Sequence, residues 1–107
     1  MPAAVTDPAT ALLSALRAAL ADFPGFVLEE IRSRAWASVT FAGCRHELSF
    51  RLEGEGAEEA AGALLKGLAA REFPMRGHLL ADIAVVAQDR APGAARISLE
   101  ALTVEDD

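Results

Sequence analysis

The stretch Phe26–Leu52, FVLEEIRSRAWASVTFAGCRHELSFRL, decides how this chain folds. Its second half alternates apolar and polar residues, the period of a strand with one buried face. The pattern predicts a two-residue turn at Gly43-Cys44, which closes on the pair Ala42 and Arg45 and sets Phe41 against His46, Val39 against Leu48 and Ala37 against Phe50 on one apolar face. The intervening pairs, Thr40 with Glu47, Ser38 with Ser49 and Trp36 with Arg51, make a mostly polar face. Glycine at the first turn position suits a type II′ turn, so local chemistry agrees with the pattern. Upstream, Phe26 to Ala42 reads as one long strand bent by a bulge near Ser33 to Ala35, where the alternation slips phase. The alternative reading turns the chain at Arg32-Ser33-Arg34 and makes two strands of it.

Helices flank this stretch. Thr6-Asp7-Pro8 offers a cap and a first-turn proline, and Leu12, Leu13, Leu16, Ala19 and Leu20 follow at helical spacing until Phe23-Pro24-Gly25 stops them. After Gly54-Glu55-Gly56, a second apolar stripe runs through Ala57, Ala60, Ala61, Leu64, Leu65 and Leu68 and ends before Phe73-Pro74. Beyond it, His78 to Gln88 reads as a strand, Ala91-Pro92-Gly93 as a turn and Ala95 to Glu105 as a strand. The strand after His78 is apolar on both faces apart from Asp82, which predicts cover on both sides and leaves its register open.

The two halves match one another, which points to an internal duplication over residues 8–53 and 57–105. Each half reads helix, Phe-Pro, strand, turn, strand. The resulting α-β-β-α-β-β order is a permuted form of the ferredoxin-like β-α-β-β-α-β arrangement. It predicts a two-layer α+β sandwich, with a four-stranded antiparallel sheet and both helices on one face.

Composition bounds the function. The 107 residues fit one domain; 52% are hydrophobic, and 16 acidic against 10 basic residues give a net charge of -6. The acidic balance and scattered arginines argue against binding nucleic acid. No apolar run reaches the length of a membrane span, and the N-terminal stretch, interrupted by Arg17, reads as a helix of a cytoplasmic protein rather than a leader. Abundant alanine, one lysine and no tyrosine suggest a GC-rich bacterial genome. A lone Cys44 precludes an internal disulfide and leaves no cysteine cluster for zinc.

Candidate chemistry is sparse. Cys44, Arg45, His46 and Glu47 invite a nucleophile-and-base reading, but neighbouring strand residues point to opposite faces, so His46 turns to the core beside Phe41 and Cys44 sits on an exposed turn. His78 and Asp82 share a strand face yet stand ~13 Å apart, too far to share a metal ion. Glu29, Glu30 and Asp82 occupy matching places in the two halves and read as solvated edge charges. Gly54-Glu55-Gly56 lacks the glycine pattern of a phosphate loop. No cofactor is implied.

The open sheet face carries the functional expectation. Trp36, Arg51, Leu80, Val86 and Leu102 are expected there, with Val104 as an alternate, as a semi-apolar patch edged by Glu47 and Glu100. The leading reading is a non-catalytic association module that homodimerises through this face. A small-molecule binding or sensor domain using the same face comes second, and a small enzyme with His46 or His78 as general base third.

Overall fold

The structure, a computed structural model, describes residues 7–69, 75 and 77–105. Two helices, α1 (Pro8–Ala19) and α2 (Ala57–Ala69), alternate with two strand pairs, β1 (Phe26–Ala37) with β2 (Ala42–Glu53) and β3 (His78–Ala91) with β4 (Ala94–Glu105). The strands form one antiparallel sheet in the order β1-β2-β4-β3, so the chain is a small α+β sandwich. Phe73-Pro74, the expected stop of the second helix, lies outside the described residues, as does Thr6.

Each element forms for a local reason. Asp7 caps α1 by accepting from the Thr10 amide at 3.1 Å, and Pro8 opens the first turn, where its missing N–H costs nothing. Leu12 and Leu16 of α1, with its C-cap Leu20, join Ala57, Ala61, Leu64 and Leu68 of α2 over Leu48, Phe50, Leu52, Ala95, Ile97, Leu99 and Ala101 in one buried cluster. Because these strand residues alternate along β2 and β4, both helices lie on the same sheet face. Each fully buried leucine or phenylalanine contributes ~1.5–3 kcal/mol, which makes this cluster the main source of stability. The Phe26 and Phe50 rings meet at 5.3 Å between centroids, and Arg17 lies over the Phe26 ring.

The first hairpin differs from its expected form. The chain turns at Ser38–Phe41, and Ala37 pairs with Ala42, Trp36 with Gly43, Ser33 with His46 and Ile31 with Leu48. Ser38 closes this turn: its amide donates to the Phe41 carbonyl at 2.7 Å, and its Oγ accepts from the Phe41 amide at 3.0 Å. Gly43 meanwhile sits inside the strand, where a Cβ would fall 1.9 Å from the Thr103 carbonyl oxygen of β4. Its glycine serves close backbone approach, not a turn. The observed turn is displaced from the expected one by an even number of residues, so alternation alone accepts both, and the β2 residues from Arg45 onward keep their expected faces.

Three further differences have one cause, the β-bulge. The strand Phe26–Ala37 is single, but its bulge lies at Glu29, between Leu28 and Glu30, rather than near Ser33. In β3, bulges at Ala81 and Val86 reset the alternation twice. That is why both faces looked apolar in sequence, although β3 is an edge strand, with Leu79, Val85 and Val86 at 54%, 41% and 58% exposure, rather than a strand covered on both sides. The bulge at Ala81 also puts His78 on the helix side and Asp82 on the open side, so the two do not share a face.

Candidate functional site

On the open face the register lines the four strands into rows. Of the rows that span all four strands, Val27, Arg51, Arg96 and Asp89 stand nearest the Pro92-Gly93 turn, and Trp36, Gly43, Val104 and Leu79 stand farthest from it. The rows between are polar: Ser49 and Ser98 share a hydrogen bond of 2.9 Å, and Glu47 faces Glu100 across β2 and β4. Glu29, extruded by its bulge, receives Arg96 through Nε at 3.0 Å and Nη2 at 2.7 Å and lies 3.3 Å from Arg51 Nε. This bidentate arrangement fixes the Arg96 fork over the sheet.

The far row is different in kind. It is apolar across all four strands, and Leu102 adjoins it from the next row. The Trp36 indole lies against Gly43, whose missing side chain makes the room: an added Cβ would come 2.9 Å from Trp36 Cζ2. Beyond the row the Ser38–Phe41 turn projects with Val39 wholly exposed and Phe41 at 58%. Trp36 Nε1 is buried and meets no acceptor among the described residues, an uncommon state for an indole donor.

Beneath this end, on the helix side, the chemistry inverts. His46, His78 and Thr103 are the buried polar residues among those described, and all three lie here. A groove of about 480 Å³ opens beside them, lined by Asp7, Trp36, Cys44, His78 and Glu105 among others. Burial and the Asp7 and Glu105 carboxylates push the Cys44 thiol up from its ordinary range, so it stays protonated and is a poor nucleophile. Burial holds His46 below the usual imidazole value; Asp7 opposes that shift and His78 reinforces it. No group of three potential metal ligands converges among the described residues.

Four of the five expected face residues lie on the open side. Trp36 and Leu102 meet at the apolar end, Arg51 stands at the opposite end in the ion cluster, and Val86 borders a shallow groove with Ser98 and Glu100. Leu80 does not join them. It pairs with Thr103 and packs against the core, because the Ala81 bulge comes after it. His46 does turn inward, but its neighbour is Ser33 rather than Phe41, and Cys44 is a partly buried strand residue rather than a turn residue. The sequence reading missed Val39 and Phe41 as surface residues and Ser33 and Thr103 as partners of His46. The Ser38 side chain, able to close a turn onto Phe41, was the available signal for the first group. Compared with known proteins, the chain matches no family model, no curated protein and no solved structure.

Proposed function

We propose that the protein is an association module whose working surface is the apolar end of the open sheet face, and that its first partner is a second copy of itself. The observation that carries this reading is the unbroken apolar row Trp36, Gly43, Val104 and Leu79, flanked by the projecting Val39 and Phe41. The rest of the open face is unsuited to burial, since Arg51, Arg96, Glu47 and Glu100 would all lose water. A projecting apolar turn and an apolar row on one chain are complementary: a two-fold axis lets each copy seat its turn on the other's row. The surface is smaller than the ~20–30 residues a side of a standard interface, so the dimer is expected to dissociate on dilution. Sedimentation velocity over a concentration series tests this. Wild type should pass from monomer to dimer, and Trp36→Arg should remain monomeric; a dimer untouched by Trp36→Arg would remove the interface.

One observation favours a second reading. The unpaired Trp36 Nε1 and the adjoining groove suit a small molecule that offers a hydrogen-bond acceptor. Native mass spectra of the protein purified under mild conditions separate the two: a reproducible added mass lost on unfolding supports the ligand, and a dimer without added mass supports self-association.

A further inference from the structure

Ser33, His46 and Thr103 form a hydrogen-bonded chain that runs from solvent into the sheet. Ser33 Oγ lies 2.7 Å from His46 Nδ1, and His46 Nε2 lies 3.0 Å from Thr103 Oγ1. Thr103 Oγ1 in turn donates to the Cys44 carbonyl at 3.3 Å. A carbonyl only accepts, so a Thr103 proton given to it leaves Thr103 Oγ1 to accept from His46. On that arrangement the imidazole proton is assigned to Nε2, and Nδ1 presents a bare lone pair to the Ser33 hydroxyl. His46 is fully buried, whereas Ser33 is exposed on the edge strand β1. The arrangement sets a base behind an accessible hydroxyl, with the base oriented by a third group.

We propose that Ser33 is a nucleophilic hydroxyl served by His46 Nδ1 as general base, and that it accepts acyl or phosphonyl groups from activated esters reaching the β1 edge. In the acyl case the Ser33 Oγ bonds to the ester carbonyl carbon as its proton passes to Nδ1. The carbonyl then expels the alcohol or thiol, which leaves with the bonding pair and recovers the proton from His46. One ester is consumed and one acyl-serine formed. Thr103 is a positioning residue, since it acts only by fixing the imidazole tautomer. No other described serine has this arrangement: Ser14 lies exposed on α1, Ser49 and Ser98 bond to each other, and Ser38 is held in its turn. Burial keeps His46 in its neutral form, with its lone pair free, against the pull of Asp7 at the start of α1; His78 at the start of β3 acts in the same direction as burial. The inference is independent of self-association.

A small alkyl fluorophosphonate tests it on the whole chain: Ser33 Oγ bonds to phosphorus, fluoride departs with the P–F pair, and the proton passes through Nδ1 to water. Intact mass and peptide mapping should find one adduct per chain, on Ser33, absent in Ser33→Ala and retained in Ser98→Ala. General-base assistance is worth ~10²–10⁴-fold, so His46→Gln should slow labelling by at least about a hundredfold. Thr103→Val, which removes the orienting acceptor, should shift the pH profile of labelling. Should His46→Gln not fold, the wild-type profile decides the point: labelling should fall as pH drops through the His46 titration and level off above it. No adduct, adducts spread over several serines, or a rate indifferent to that titration would overturn the proposal.

Discussion

The two ends of this sheet are built oppositely. At the end near Pro92-Gly93, the helix side is apolar, with Phe50, Leu52, Ala95 and Ile97 buried, and the open side is charged, with Glu29 holding Arg96 and Arg51. At the other end the helix side is polar, with His46, Thr103, His78 and Cys44, and the open side carries Trp36, Val104, Leu79 and Leu102. The first arrangement is what a stable two-layer domain requires. The second serves no evident purpose in stability, because it buries polar groups that must each find a partner and exposes apolar ones. Where a chain departs from its own folding pattern in this way, function is the natural explanation.

Substitutions can sharpen the contrast. The largest effect belongs to the conventional end: Phe50→Ala should cost about 3–5 kcal/mol by urea denaturation, since a fully buried ring leaves a cavity in the main cluster. At the inverted end, Gly43→Ala should cost about 1–3 kcal/mol, as its Cβ meets the Thr103 carbonyl oxygen at 1.9 Å and the β2–β4 backbones must separate. It should also displace Trp36 and weaken the proposed dimer, whereas Phe50→Ala should leave any association of the folded fraction intact.

The smallest effect is on pH dependence. His46 is held below its unfolded value, so its neutral form is the one the fold favours. Its contribution is complete above the unfolded imidazole range, near pH ~6.5, and is lost as pH falls through the lower folded value. The urea midpoint should therefore be level above that range and decline below it, with the His46 part of the decline absent in His46→Gln. An identical acid slope in both proteins would mean that burying His46 has no energetic consequence.

The helices were legible because their stripes, cap and breaking residues agree, as Asp7, Pro8, Leu12 and Leu16 show. So was the facing of β2, because Arg45, Glu47 and Arg51 alternate with His46, Leu48 and Phe50. Partners were not, since alternation carries parity and not register: Gly43 attracted the turn that Ser38 in fact makes. Bulges at Glu29, Ala81 and Val86 have no signature in composition, and one of them decides that Leu80 faces the core and Asp82 faces away. Of the candidate site, Trp36 and Leu102 could be read from the chain. The Ser33–His46 pair could not, because it exists only in the register that the Ser38 turn creates.

The most direct test of the account is the emission of Trp36, the one tryptophan in the chain, followed as the protein is diluted through the monomer–dimer range. If the apolar end is the association surface, the emission maximum should move to longer wavelength as dimer gives way to monomer and the indole regains water. An emission maximum that stays constant while the dimer dissociates would place the interface elsewhere and contradict the account.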